Sequence, residues 1–167
     1  MTIAGEGRTA GTPASRRALA LCLIGSAALF GGAVAATPPT GPASNITVKV
    51  TNLRSTEGVV RACITDRSKG FPKCDADDAG SINVVMPATE NVILSFKNIA
   101  PGRYAIALLH DENNNGKADR ALMMMPTEGF GFSRDAKVRM GPPKFDDAAF
   151  DVSGIPIAQT IKMRYMF

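Results

Sequence analysis

The stretch NITVKVTNL, residues 45–53, decides the fold of this chain, because apolar and polar residues alternate along it with a period of two. Successive side chains of a β-strand point to opposite faces of the sheet, so such alternation is typical of a strand that is buried on one side only. The stretch therefore predicts a half-buried strand whose buried face is formed by Ile46, Val48 and Val50.

Further strands are predicted along the rest of the chain, where apolar runs or alternating patterns are separated by turn residues. They are GVVRACITD (58–66), INVVM (82–86), NVILSFKNI (91–99), RYAIALLHD (103–111), DAAFDV (147–152) and IAQTIKMRYMF (157–167). In RYAIALLHD the inward residues are Tyr104, Ile106 and Leu108. No stretch has a convincing helical period. About seven strands in roughly 120 residues predict an all-β fold, a single antiparallel β-sandwich.

One long irregular segment, residues 111–146, interrupts this pattern. A loop of that length in a compact domain is usually functional, or it contains short strands of its own. ALMMM (121–125) and KVRM (137–140) are the candidates for such strands.

The N-terminal segment has the three parts of a signal peptide, which are a basic start, an apolar run and a stretch of small residues ending in Ala35. Cleavage after Ala35 predicts a periplasmic or secreted protein with no membrane span in its mature form, and leaves the choice between Sec and twin-arginine export open. The predicted organisation is a signal peptide (1–35), a flexible Pro/Gly/Thr-rich tether (36–44) and a β-sandwich domain (45–167).

The charge balance argues against nucleic acid as a partner. The formal net charge of the full chain is +4, and the part that follows residue 35 carries 16 basic and 14 acidic side chains. A binding surface for nucleic acid needs a strong positive excess, which this balance does not supply.

Cys63 and Cys74 are the two cysteines that remain after signal cleavage. An even count, a short separation and an oxidising compartment favour a disulfide between them. Two free buried thiols are the alternative, whereas a metal site is disfavoured because no second Cys or His pair accompanies them.

The segment DENNNGKAD, residues 111–119, resembles the first part of an EF-hand loop. Its candidate calcium ligands occupy loop positions one, three, five, seven (through a main-chain carbonyl) and nine, and Gly116 occupies position six, where the chain turns. These ligands are Asp111, Asn113, Asn115, Lys117 and Asp119. Position twelve is Leu122 instead of a glutamate, so Glu128 is the candidate that completes the shell, with weak affinity of about 10⁻⁴–10⁻³ M.

The alternative for the same segment is a plain turn. Asn, Asp and Gly are the residues that cap their own backbone in tight turns. The sequence leaves both interpretations open, and Ca²⁺ is the only cofactor it suggests.

EGFGFS, residues 128–133, offers a second candidate site. Two aromatic rings beside a carboxylate suit a sugar or peptide, so Glu128, Phe130 and Phe132 are candidate ligand-binding residues. Alternatively the phenylalanines plug the open end of the sandwich, while the glycines between them supply positive φ angles.

Catalysis has little support in the sequence. His110 is the only histidine, and its place at the end of an alternating strand predicts a capped or half-buried ring. No nucleophile-elbow motif accompanies it, and no acid, base and nucleophile set is recognisable. We therefore expect that the protein is not an enzyme.

Three ordered motifs, PGRYAIALLHDENNNGKAD, PTEGFGFS and GPPKFDDAAF, resemble the signature of the DUF2141 family of exported bacterial proteins. The resemblance covers about residues 45–167 and implies an extracytoplasmic β-sandwich, similar in outline to immunoglobulin-like or transthyretin-like modules. It implies no reaction. The chain departs from the family at Met123, Met124 and Met125, where an apolar residue and Gly commonly precede the proline.

Three classes of function follow from these observations. The first is an exported non-catalytic binding or envelope-associated module, with an envelope component or a small ligand as its partner. The second is a calcium-stabilised structural domain. The third is a hydrolase acting on envelope polymers, which would need a cleft joining Glu128 to Asp111 or Asp119.

Overall fold

A computed structural model of the protein describes residues 41–74, 80–121, 126–139 and 141–166. The predicted signal peptide, most of the tether and Met123–Met125 lie outside these residues. The described part contains eight strands and two short helices. They are β1 (Ser44–Thr51), β2 (Val59–Thr65), β3 (Ser81–Pro87), β4 (Val92–Ile99), β5 (Gly102–Asp111), β6 (Gly129–Phe132), a 3-10 helix (Ser133–Asp135), α1 (Phe145–Ala148), β7 (Phe150–Val152) and β8 (Ile157–Lys162).

The strands form two sheets, which confirms the predicted β-sandwich. One sheet has the order β4-β1-β8, and the other has the order β3-β2-β5-β6, with β7 paired to the start of β5. All strand pairs are antiparallel except β1 and β8, which run parallel. A parallel pair is possible here because the whole of the domain connects these two strands, and a parallel connection must be long.

The main core lies between the two sheets and is built from the faces that the alternation predicts. Ile46, Val48 and Val50 are buried, and Val48 lies opposite the buried Leu94 of β4. Ile106 and Leu108 of β5 face them from the other sheet. The period of two is thus sufficient to assign the inward side chains of β1, β4 and β5.

A second, smaller core covers the outer face of the larger sheet. Small residues on β5, Ala105 and Ala107, leave room there for aromatic rings from β6, from α1 and from the loop that follows β2. Ser133 ties this cover to the sheet, because its Oγ donates to Ala148 O (2.6 Å) and accepts from Ile106 N (2.9 Å). The larger sheet is therefore buried on both faces along β5.

The Cys63–Cys74 disulfide is present, as the sequence predicts. Cys63 lies opposite Asn83 and Ala107 on the outer face of its sheet, and the loop that carries Cys74 comes back across that face with a Cα–Cα separation of 6.1 Å. Phe71 of this loop packs into the second core. The disulfide therefore attaches the loop that contributes Phe71 to the second core to strand β2.

Two predictions, one in the long segment and one directly after it, need correction. DAAFDV (147–152) is not one strand, since residues 145–148 form α1 and only Phe150–Val152 form a strand. Residues 137–139 of KVRM form no strand, whereas Gly129–Phe132, which the sequence left in the loop, form β6. Helix α1 is held locally, because Lys144 N donates to Asp147 Oδ2 (3.2 Å) and Asp147 N to Lys144 O (3.1 Å).

The glycines of β6 serve close approach, so their expected role in supplying positive φ is wrong. Neither is among the glycines with positive φ. A Cβ at Gly129 would lie 2.3 Å from the Tyr165 ring, and one at Gly131 would lie 2.9 Å from the Ile161 side chain. Because Gly alternates with Phe, the glycines of β6 face the main core and the phenylalanines face the second core.

Candidate metal centre

The β5–β6 loop, residues 112–128, connects the buried end of β5 to the start of β6. It is described except for residues 122–125. Its two arms meet where Thr127 N donates to Asp119 O (3.0 Å) and where Arg120 and Pro126 form an antiparallel bridge. The candidate ligands between residues 111 and 119 are therefore held close to the arm that carries Glu128.

Asp111 is fully buried at the base of the loop. Its Oδ1 accepts from Asn115 N (3.0 Å), and its Oδ2 accepts from Gly116 N (2.9 Å) and from Nε of Arg61. Burial alone would raise the pKa of Asp111, but the hydrogen bonds from Arg61 and the two amides outweigh it and lower the pKa. The carboxylate is therefore ionised, and one lone pair of Oδ1 remains.

The middle of the loop is a chain of side-chain-capped turns. Asn113 Oδ1 accepts from Asn115 N (3.0 Å), and Asn115 Oδ1 accepts from Lys117 N (2.8 Å). Gly116 has φ of 79°, a left-handed conformation that glycine adopts without strain. The capped turn that the sequence offers as an alternative is thus present, and each amide oxygen keeps a second lone pair.

Asp119 accepts hydrogen bonds from two asparagine side chains. Its Oδ2 accepts from Nδ2 of Asn113 (2.7 Å) and from Nδ2 of Asn115 (2.8 Å). Two of the predicted ligands therefore donate to one oxygen atom of a third, and Asp111 is linked to them through the main chain of Asn115.

Glu128 lies beneath this cluster and is 4% exposed. Its Oε2 accepts from Asp119 N (3.0 Å), whereas Oε1 is buried and accepts no hydrogen bond of ordinary geometry from the residues that the structure describes. Burial raises the pKa of Glu128, and the charges of Asp111 and Asp119 raise it further, against the lowering effect of the Asp119 and Glu112 amides. An incompletely satisfied carboxyl group thus lies next to two other acids.

The cluster is not a ready-made metal site. Among the described residues, no three His, Cys, Asp or Glu side chains are grouped closely enough to hold a metal ion. A cation in this loop would therefore have to draw on amide and main-chain oxygens as well as carboxylates, and the loop would have to close on it.

Phe130 and Phe132, the other candidate ligand-binding residues, point away from this cluster into the second core. They are 9% and 5% exposed, and their ring centroids are 6.0 Å apart. The Phe132 ring also meets Phe71 edge to face at 5.9 Å. This burial favours packing over a ligand platform, although a ligand-binding role for Glu128, Phe130 and Phe132 stays a prediction.

The sequence did not identify Arg61 as part of this region. Arg61 projects from β2, and its Nη2 also donates to Asn114 Oδ1 (2.8 Å), so it joins the neighbouring strand to the loop. In the sequence, Arg61 is a single arginine on the outer face of a predicted strand, and such a residue does not by itself indicate a functional site. Only the pairing of β2 with β5 brings it to Asp111.

A second polar group, defined by Arg54, His110, Glu112 and Tyr165, flanks the loop. Arg54 pairs with Glu112 and lies over the Tyr165 ring at 4.6 Å from its centroid. His110 is fully buried instead of half-buried, with Nε2 2.9 Å from Glu57 O and Nδ1 2.8 Å from Tyr165 Oη. Because a carbonyl oxygen only accepts, Nε2 donates to Glu57 O. Both ring nitrogens are thus committed to structural hydrogen bonds.

The fold and the loop define an all-β module of two sheets with an acidic and amide-rich loop at one end. A family model described as "Uncharacterized protein conserved in bacteria (DUF2141)" matches residues 48–159. The chain belongs to this family. No curated protein and no solved structure matches it.

No helix in the described ranges is long and apolar enough to cross a membrane.

Proposed function

We propose that this protein is an exported, non-catalytic β-sandwich module whose β5–β6 loop binds a hard divalent cation, calcium being the best match. The observation that carries the proposal is Glu128, a buried carboxyl group whose Oε1 accepts no hydrogen bond of ordinary geometry from the described residues and whose pKa is raised by burial as well as by the charges of Asp111 and Asp119. A buried polar atom without a partner costs about 1–3 kcal/mol, and more when it is charged. A cation would offset that cost and the repulsion among the three acids.

The chemistry of the remaining lone pairs supports calcium. Oxygen atoms with acceptor capacity are available on the carboxylates, on the two amides and on the main chain of position seven. They are Asp111 Oδ1, Asn113 Oδ1, Asn115 Oδ1, Lys117 O, Asp119 Oδ1 and Glu128 Oε1. Calcium takes about six to eight oxygen ligands in flexible geometry, whereas magnesium demands a tighter octahedron.

A cation on Asp119 Oδ1 would share this carboxylate with the two amide donors on Oδ2. Asn113 and Asn115 already point their Nδ2 atoms at Asp119 Oδ2, so a positive group is favoured at this place. Arg61 neutralises part of the charge of Asp111 from the other side. Both features reduce the gain from a cation, which is consistent with weak binding of about 10⁻⁴–10⁻³ M.

A hydrolase is the less favoured proposal. Asp111 and Glu128 are 0% and 4% exposed, so neither carboxyl group faces an open cleft in which a polymer could lie. Asp111 is also engaged by Arg61 and by two main-chain amides. These contacts suit a stabilising role better than general acid or base catalysis.

Calcium at about ten times its dissociation constant is expected to stabilise the folded domain by about 1.4 kcal/mol, because it binds the native loop and not the unfolded chain. For a domain of this size the melting temperature should rise by about 3–6 °C. Differential scanning calorimetry in excess calcium, excess magnesium and chelator measures the effect. Equal melting temperatures in calcium and chelator would contradict the proposal.

Glu128→Gln is the sharpest test of the site. Glutamine keeps the shape and the acceptor for Asp119 N but removes the charge that a cation needs, so the response to calcium should disappear while the fold remains. Asp151→Asn on the exposed side of β7 is the matched control, since it removes one carboxylate away from the loop. An unchanged calcium response in Glu128→Gln would exclude this site.

Export is supported by the signal-peptide pattern and by the disulfide, which persists in oxidising compartments. The exported chain is expected to begin at Ala36. Intact-mass measurement on the protein recovered outside the cytoplasm determines its first residue directly. A mass that retains residues 1–35 would show that the segment is not cleaved, and recovery from the cytoplasm alone would contradict export.

A further inference from the structure

Main-chain hydrogen bonds close the sandwich along one side, whereas along the other, here called the open side, the edge strands β3 and β4 lie close together without pairing in the described residues. On the closed side, Phe130 N donates to Arg164 O (3.0 Å) and Arg164 N donates to Phe130 O (2.8 Å), so main-chain hydrogen bonds join β6 to the end of the opposite sheet. On the open side, β3 and β4 are the last strands of their sheets. Within the ranges that the structure describes, each has a strand neighbour on one side only.

Strand β3 is an unusually apolar edge. Residues 81–88 carry no charged side chain. Ile82, Val85 and Met86 are 47%, 48% and 40% exposed, and they make up half of the exposed large hydrophobic residues in the described ranges. The register with β2 turns Ile82, Val84 and Met86 toward the inner side of the sheet, where they line the open side of the sandwich.

Exposed edges of soluble sheets are normally protected by lysines, prolines, bulges or a covering segment. The paired register of β2 and β3 runs without a shift from Ser81 to Pro87, and the first proline is at the end of the strand. Strand β4, the other edge of the open side, carries the exposed Lys97. Among the described residues, β3 from Ser81 to Met86 has none of these protections, and its outer edge has no strand partner.

We propose that β3 pairs with β3 of a second copy of this chain, antiparallel and about a twofold axis, so that the two larger sheets become continuous. A strand edge requires another extended strand as its partner, because only a strand matches its row of donors and acceptors. The strand has no charge with which to select a charged partner, and none that would repel an identical strand placed opposite.

Self-pairing also matches the side chains. With the twofold axis at Val84, Ile82 of each copy lies opposite Met86 of the other, on the same inner face. The apolar stripe of one copy then extends the stripe of the other across the open side. A seven-residue strand is small compared with a standard interface of about 800 Å² per partner, so the dimer is weak, with dissociation in the micromolar to millimolar range.

Sedimentation velocity of the exported chain between about 10 µM and about 1 mM tests this inference, because a weak dimer populates within that range. Chelator is present throughout, so that the result does not depend on the proposed cation. The wild-type protein should shift from monomer to dimer. Ile82→Lys should remain monomeric, since it places a charge at the pairing surface.

Ile155→Lys is the matched control, because the same substitution is made at an exposed isoleucine (68%) outside β3. It should dimerise as the wild type does. Hydrogen exchange adds a measurement that needs no variant, since main-chain amides of β3 should exchange more slowly at high concentration. A monomer at every concentration, or a dimer that leaves β3 exchange unchanged and survives Ile82→Lys, would overturn the inference.

Discussion

Replacement of Phe132 by alanine is expected to lower the free energy of unfolding by about 3–5 kcal/mol. The ring is 5% exposed and lies between Phe130 and Phe71 on the outer face of the larger sheet. Its removal leaves a cavity that the neighbouring alanines of β5 are too small to fill, so both the transfer free energy and the contacts are lost. Phe130→Ala, at 9% exposure, should have a comparable effect.

Urea denaturation measures this loss, and Ile93→Ala provides the control. Ile93 is 57% exposed on β4, so its truncation should change stability by less than about 0.5 kcal/mol. A change below about 1 kcal/mol in both phenylalanine variants would mean that the rings contact solvent, which would favour the ligand platform over the second core.

Loss of the Cys63–Cys74 bridge is expected to lower stability by about 2–3 kcal/mol on the chain-entropy model, because the bridge closes a short loop in the unfolded chain. The loop also carries Phe71 into the second core, so the position of the loop and the packing of that core depend on one another. The comparison is between the oxidised protein and the Cys63→Ala/Cys74→Ala variant in denaturant.

Reductant gives an independent measurement of the same bridge. It should weaken the wild-type protein to about the level of the double variant and leave the double variant itself unchanged. Equal stability of the oxidised and reduced wild type would show that the bridge makes no contribution. Two thiols that react with an alkylating agent before reduction would show that the protein does not form it.

For residues 111–119, the sequence predicts two alternatives and does not decide between them. The spacing of Asp111, Asn113, Asn115 and Asp119 predicted either a cation loop or a capped turn. The structure contains the capped turn, with each amide oxygen bound to the main chain. Calcium binding remains a proposal, because a capped turn and a cation-binding loop can be built from the same residues. They differ in whether a cation is bound by the lone pairs that the main-chain hydrogen bonds leave available.

Helix α1 and strand β6 were not predicted, for reasons of length and composition. A four-residue helix makes only about one turn, which is too short to show a repeat of apolar residues. The sequence therefore predicts a strand for the whole of DAAFDV. Strand β6 has Gly at every second position, so its phenylalanines alternate with no polar side chain and the usual apolar–polar pattern is absent. Those glycines are required by Tyr165 and Ile161, residues thirty or more positions away in the sequence.

The sequence by itself determined the β-sandwich, the inward faces of its main strands and the disulfide. These follow from local rules, since a period of two assigns side chains to faces and an even cysteine count in an exported chain favours a bridge. Tertiary structure alone decided the rest. It brought Arg61 to Asp111, buried Glu128, packed aromatic rings outside the larger sheet and placed β3 at the edge of that sheet. Each of these depends on which strands become neighbours, and strand pairing is a non-local property that no single stretch of sequence contains.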